Sequence, residues 1–249
     1  NEEGPRLIVT LTSFPKRIDS VWMVIESILR QNIKPDMIIL YLSKKQFSHS
    51  NKIPSSLYKL QSRGLLIKLC DGDLRSHKKY YYAMREFTND FIITVDDDVI
   101  YNSNILFHLI NLSKRYPGVI CCNHASEITV KNYNVDTYLN WTTVITNLAP
   151  TNLIIPIGVG GVLYPPKSLS AEVFNFNVFM DKCLLADDIW LNIMARINNT
   201  KVAKSEYQSH YLPIMYIKNT TLNSVNVYQN LNDKQLIDSR NYCINDLGI

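Results

Sequence analysis

The chain has 249 residues, 46% of them hydrophobic, enough to bury one substantial core in a single domain of catalytic size. Its 26 Lys and Arg against 22 Asp and Glu leave a net charge of +4, too small to argue for a nucleic-acid partner and compatible with a small anionic substrate. Five cysteines, odd in number and without framework spacing, read as reduced core residues of a cytoplasmic protein, and neither a Cys-x-x-Cys pair nor a His-rich tract points to zinc. No run approaches the ~20 apolar residues of a membrane span, so no transmembrane segment is expected in this chain, and the opening Asn-Glu-Glu-Gly-Pro lacks the basic and apolar regions of a signal peptide.

In chain order, Leu7 to Thr12 is an apolar, β-branched run that predicts a strand. Ile18, Val21, Trp22, Ile25, Ile28 and Leu29 then recur at helical spacing, Pro35 punctuates a turn, and Met37 to Leu42 is strand-like again, which makes a βαβ unit. Leu65 to Cys70 supplies a third strand, Ser76 to Phe87 a helix, and Phe91 to Val95 a fourth strand. A helix over Asn104 to Arg115 and a strand over Val119 to Cys122 extend the alternation, which predicts a mostly parallel α/β sheet with ligands at the carboxyl ends of its strands. From Asn123 to Thr151 the pattern fades into polar residues interleaved with aromatics. Ile154 to Pro166 is a Gly-rich apolar segment, Ala186 to Ile197 a helix, Tyr211 to Ile217 a last strand, and residues 218–249 a polar tail in which Asn230 to Asp233 has no evident place.

The most informative junction follows the fourth strand, where three consecutive aspartates, Asp96, Asp97 and Asp98, stand at its carboxyl end. Adjacent carboxylates repel one another by ~1 kcal/mol or more per close pair unless a cation neutralises them. Hard oxygen donors suit Mg²⁺ or Mn²⁺, which in turn suit a diphosphate. The competing reading is an acidic turn ahead of the next helix. Alternate residues of an extended stretch point the same way, so Asp96 and Asp98 can converge on one ligand while Asp97 points elsewhere.

Taken in order, Thr10-Leu11-Thr12-Ser13-Phe14-Pro15-Lys16-Arg17, the aspartate triplet and Ala186-Asp187-Asp188-Ile189-Trp190 resemble the motifs of GT-A glycosyltransferases over roughly residues 6 to 217. The resemblance is closest to the family-2-like and the capsular or lipopolysaccharide-type enzymes. It implies a single GT-A-like, Rossmann-like domain with a nucleotide- and metal-binding half over residues 6–122 and an acceptor half over residues 123–217. It also implies a nucleotide-sugar donor, UDP-linked by expectation, a carbohydrate or glycan acceptor, and a Mn²⁺ or Mg²⁺ cofactor.

By that resemblance the loop after the first strand places Thr12, Ser13 and Arg17 on the nucleotide, although Thr12 and Ser13 are equally good helix caps. Asp71 matches an acidic position that contacts a uracil-type base, or is an ordinary turn aspartate. Lys79 would steady the diphosphate, with Arg75 a substitute; the segment departs here from the Gly-Pro-x-x-Lys pattern of related enzymes. Asp96 faces ribose or sugar, Asp98 and Asp96 bind the metal, Asp97 is grouped with the nucleotide-sugar site while pointing elsewhere or bonding the metal's water, and His210 is a candidate third ligand. Gly160 and Gly161 fall in a glycine-bearing segment beside the donor sugar, or in a buried strand with a bulge. Asp187 and Asp188 resemble a catalytic pair, with Asp188 the general base of an inverting transfer and Asp187 its alternative, while Trp190 either stacks on an acceptor sugar or fills the core. A retaining transferase, a nucleotidyltransferase and a non-catalytic sugar-nucleotide-binding module are the rival readings; the nucleotidyltransferase would be expected to carry glycine in the loop from Thr12 to Arg17, which has none.

Overall fold

The computed structural model describes residues 4–47, 53–132, 134–207, 211–214 and 231–246. The amino-terminal alternation forms as the periodicity predicts: β1 (Leu7–Thr12), α1 (Val21–Leu29), β2 (Met37–Ser43), α2 (Ser55–Gln61), β3 (Leu65–Cys70), α3 (Lys78–Glu86) and β4 (Phe91–Thr94). A short β5 (Val99–Tyr101), α4 (Ile105–Arg115) and β6 (Ile120–Cys122) follow. The aromatic-rich stretch then breaks into β7 (Ala125–Glu127), β8 (Val130–Lys131), β9 (Asn134–Val135), β10 (Thr142–Thr143) and β11 (Leu148–Thr151). The Gly-rich segment is two strands, β12 (Ile154–Pro156) and β13 (Val162–Tyr164), separated by a tight turn over Gly158–Gly160. The chain continues through α5 (Phe176–Lys182), α6 (Asp187–Ile197), β14 (Val202–Lys204), β15 (Tyr211–Pro213) and α7 (Leu231–Asp246).

Eight strands make the central sheet in the order β11-β14-β6-β13-β4-β1-β2-β3. The pairs β1–β2, β2–β3, β1–β4 and β6–β14 are parallel, whereas β13 runs antiparallel to both β4 and β6. The sheet therefore draws strands from both halves of the chain into one α/β domain. Period-2 alternation sends Val9, Leu11, Ile38, Leu40, Ile93 and Val95 into one core with α1, α2 and α4. On the opposite face Ile8, Ile39, Tyr41 and Ile92 meet Ala83 of α3. Farther along that face Cys122, Val162, Tyr164 and Val202 pack with Phe179 of α5 and Trp190 of α6. Burial on both faces explains why these strands read as nearly continuous apolar runs.

Four expectations change. The helix expected from Ser76 starts as a single 3₁₀ turn over Arg75–His77 and becomes α-helical at Lys78. Thr12 and Ser13 do not cap the following helix, because α1 begins only at Val21. The last strand is shorter than expected and leaves the main sheet, β15 pairing antiparallel with β5; residues 215–217 of that expectation lie outside the described residues. The polar tail contains the helix α7, whose buried face is largely polar: Asn232, Gln235 and Ser239 precede Cys243 at helical spacing. No described helix is long and apolar enough to cross a membrane.

Candidate active site

A cavity of about 1170 Å³ opens where the chain leaves β1 and β4, and it is closed on its far side by the start of α6 and of α7. It receives the loop Thr12–Arg17, all three aspartates after β4, the start of α3, and the di-aspartate of α6. The alternation inferred for the triplet holds: Asp96 and Asp98 are partly exposed to the cavity, and Asp97 is buried.

Asp97 is fully engaged within the protein. Ser13 Oγ donates to its Oδ2 at 2.6 Å and Arg17 Nη1 to its Oδ1 at 2.6 Å. Arg17 also reaches Asp98 Oδ2 at 3.0 Å, so this guanidinium and Ser13 brace the acidic loop while lining the cavity. Thr12 lines the cavity, with its Oγ1 donating to Tyr41 O at 2.8 Å. Asp98 keeps one side toward the cavity; burial and the neighbouring Asp96 charge push its carboxyl up to about 6 against the pull of Arg17. Two hard carboxylates carrying more negative charge than their surroundings neutralise are a donor set that Mg²⁺ or Mn²⁺ fits, since these ions take a few protein oxygens and complete their shell with phosphate and water. Among the described residues no group of three or more His, Cys, Asp or Glu is arranged to hold a metal. His210, the expected third ligand, lies outside the described residues.

Lys79 stands at the centre of a second charge cluster. Its buried ammonium lies 2.9 Å from Asp96 Oδ1 and 2.8 Å from Asp187 Oδ2, and its backbone carbonyl accepts a hydrogen bond from Thr10 of β1. Burial disfavours the ammonium, but Asp187, Asp96 and Asp188 outweigh it and hold its pKa well above the ordinary lysine value. Lys79 thus neutralises the acidic floor of the cavity, which it also lines. The exposed cations that line the cavity are Lys16 and Arg75; Lys78 also lines it but is buried, and Asp73 gathers Lys78 and Arg75, with Lys78 Nζ 2.6 Å and Arg75 Nη1 3.2 Å from that carboxylate. Arg75 holds this position in the left-handed backbone region, at φ 52°.

The two aspartates opening α6 behave differently because only one is paired. Asp187 is buried and, although burial opposes ionisation, Lys79 and then His77 keep its carboxyl below the ordinary value. Beneath it His77 makes two hydrogen bonds that suit a neutral ring, at 2.9 Å to the Tyr80 hydroxyl and 2.8 Å to Cys183 O; burial lowers its pKa to about 4. Asp188 reaches the cavity. Burial and the adjacent Asp187 charge raise its carboxyl to about 7, while Gly158 N–H donates to its Oδ2 at 3.0 Å. A neutral-range carboxylate of this kind is suited to exchanging a proton with a bound hydroxyl.

Gly158 is the glycine that the site requires: a Cβ there would meet Asp188 Oδ1 and Lys79 Nζ at 3.1 Å and Asp96 Oδ1 at 3.3 Å. Gly160 and Gly161 answer other constraints. A Cβ on Gly160 would collide with His124, and Gly161 adopts φ 82° ahead of β13, so neither fills the expected role beside a donor sugar. Trp190 is wholly buried, donating its indole N–H to Val173 O at 3.1 Å and packing near Phe179, which removes it from any acceptor surface. Asp71 points outward to Lys44 at 3.0 Å and does not line the cavity; Asp73, two residues on, does. The Asp-Gly-Asp turn was visible in the sequence, but which carboxylate faces inward depends on the bend at Gly72, φ 76°.

No protein-family model matches the sequence, and no curated protein matches it. Among solved structures the chain is similar to a UTP-bound UGPase from Acinetobacter baumannii, at 10% identity and TM-score 0.49 over 98% of this chain and 99% of the other. It is also similar to a CMP:2-keto-3-deoxy-manno-octonic acid synthetase complexed with CTP, at 9% identity and TM-score 0.53 over 92% of this chain and 100% of the other. The second likeness identifies the fold: a Rossmann-like α/β domain with a mostly parallel central sheet.

Proposed function

We propose that this protein is a metal-dependent glycosyltransferase that moves a sugar from a nucleotide-diphosphate donor, UDP-linked by resemblance, to a hydroxyl of a carbohydrate acceptor with inversion. The observation that carries this reading is Asp188, a cavity-facing carboxylate held near neutrality beside the Asp187–Lys79–Asp96 cluster. In the transfer the acceptor oxygen bonds to the anomeric carbon, the bond from that carbon to the diphosphate breaks with its electron pair leaving on the diphosphate, and the hydroxyl proton passes to Asp188. Asp187, tied to Lys79, positions Asp188 and raises its basicity. Asp98 and Asp96 would hold Mn²⁺ or Mg²⁺, which supplies charge stabilisation to the leaving diphosphate. Lys16 and Arg75, the exposed cations lining the cavity, offer the cationic surface for the phosphates.

Nucleotidyl transfer is the second reading, favoured by the fold likeness to a synthetase solved with CTP. The site's own charges favour the first. The loop after β1 has no glycine for close backbone approach to a triphosphate, and its Arg17 is held by Asp97 and Asp98. The deciding assay incubates the protein with a panel of sugar nucleotides, and separately with nucleoside triphosphates plus sugar phosphates, with Mn²⁺, Mg²⁺ or excess chelator. Metal-dependent release of nucleoside diphosphate in the first set supports glycosyl transfer. Pyrophosphate release confined to the second set would replace it with nucleotidyl transfer.

A further inference from the structure

The cavity is electrically lopsided. Every lysine and arginine lining it comes from the chain before residue 80, whereas the wall facing them across Asp188 carries His124, Tyr138, Leu184, Leu185 and Asn232 without a single basic side chain of that kind. His124 on that wall is disfavoured as a cation by burial and by Lys204.

Two polar groups on this wall lack protein partners among the described residues. The Asn232 carboxamide is only 7% exposed, lines the cavity, and makes no side-chain hydrogen bond there. The Tyr138 hydroxyl is likewise unpaired, although its ring rests tilted against Trp141 at 5.0 Å between centroids. Both groups open on the cavity with their hydrogen-bonding capacity unspent on the protein, and an ordered polar pair of this kind points to a ligand whose hydroxyls it would take in place of water. The surroundings are ordered for that purpose. Asp233 accepts from Tyr138 N–H at 2.7 Å and Gln235 accepts from Leu185 N–H at 2.7 Å, so the first turns of α7 clamp the two loops on either side of Asn232. Trp141 is fixed in turn by its Nε1–H donating to Asp136 O at 3.0 Å.

We propose that Tyr138 and Asn232 form the acceptor subsite, and that the acceptor group they take is an uncharged sugar ring. This rests on the transferase reading above and deepens it. A carboxamide both donates and accepts, matching vicinal hydroxyls, and an aromatic face covers the apolar side of a pyranose. A phosphorylated or carboxylated second substrate would meet this wall with no cation and with Asp188 beside it. The Tyr138 phenol also feels Asp188: burial, and then that carboxylate, raise it to about 12, which places the ring on the same side as the proposed base.

The test uses saturation-transfer NMR on the whole protein with UDP and Mg²⁺ present, presenting a panel of neutral methyl glycosides and the same sugars as 1-phosphates. The expectation is contact with at least one methyl glycoside in the parent, with about tenfold weaker binding in Asn232→Ala and in Tyr138→Ala. Tyr138→Phe, which keeps the ring and loses the hydroxyl, should fall between the parent and Tyr138→Ala. Thermal stabilisation by UDP, read in parallel, should be the same in all four proteins and reports the nucleotide half separately. Preferential contact with the sugar phosphates, undiminished glycoside binding in Asn232→Ala, or no glycoside contact at all would each overturn the subsite. Loss of the UDP response in the parent, with glycoside contact intact, would instead overturn the transferase reading and leave this wall a neutral-sugar site.

Discussion

Asp188→Asn separates the chemical role of this carboxylate from its structural cost, and both have signs fixed by the site. Burial and Asp187 raise the Asp188 carboxyl from an ordinary 3.8 to about 7. A group whose folded pKa lies above its unfolded value binds more protons folded than unfolded between the two, so it lowers stability as pH rises through that window. The interval is about three pH units, an upper bound of ~4 kcal/mol at ~1.4 kcal/mol per unit. Water in the open cavity screens Asp188, so the working expectation is ~1–2 kcal/mol. Asparagine is neutral at every pH, nearly isosteric, and still offers an oxygen to Gly158 N–H.

The variant should therefore match the parent in stability near pH 3, where Asp188 is protonated in both the folded and the unfolded chain, and exceed it by ~1–2 kcal/mol at pH 8. Its turnover should fall by ~10² or more, as loss of a general base implies, and the acid limb of the parent's pH–rate curve near 7 should vanish. Urea unfolding at the two pH values and donor-turnover kinetics read these together. A variant less stable than the parent at pH 8 would refute the electrostatic account of Asp188, and an unchanged acid limb would refute its role as base.

The remaining predictions address the neighbouring groups. Asp98→Ala should abolish the metal-dependent stabilisation by UDP, which for a ligand at ~100 times its dissociation constant is worth ~2.7 kcal/mol, and excess chelator should do the same to the parent in a thermal-shift assay. Gly158→Ala inserts a methyl 3.1 Å from Asp188 Oδ1 and Lys79 Nζ, so turnover should drop by ~10-fold or more through displaced geometry while UDP affinity, measured by calorimetry, holds. Trp190→Phe removes the indole bond to Val173 O and some packing, costing ~1–2 kcal/mol in denaturant unfolding, and should leave the apparent acceptor affinity alone because the ring never reaches the cavity.

How much of this was legible in the sequence follows from what each segment buries. β1 to β4 lie between helices on both faces, so their apolar runs stood out, and the triplet after β4 announced the site because charge directly after a buried strand has few structural uses. α7 was illegible for the opposite reason. Its inward face, Asn232, Gln235 and Ser239, meets loop amides instead of an apolar core, and hydrophobic periodicity carries no trace of a helix whose work is hydrogen bonding. β14 is three residues long, too short to show alternation.

The ion pairs among the charged residues were illegible for a common reason. Arg17, Lys79 and Asp97 were each assigned to a ligand from the expected location of their segment; each lines the cavity and also pairs with another charge of the protein, Arg17 with Asp97 and Asp98, Lys79 with Asp96 and Asp187. A cavity floored by this many carboxylates needs internal cations before it can accept an anionic donor, since unpaired buried charge is far costlier than an unfilled rim. The chain meets that need with the cations nearest the sheet and leaves Lys16 and Arg75 exposed at the cavity's edge. Ion pairing between distant segments is invisible to spacing along the chain, so sequence locates the acidic and basic segments of such a site while only the fold decides which charges answer one another and which face the ligand.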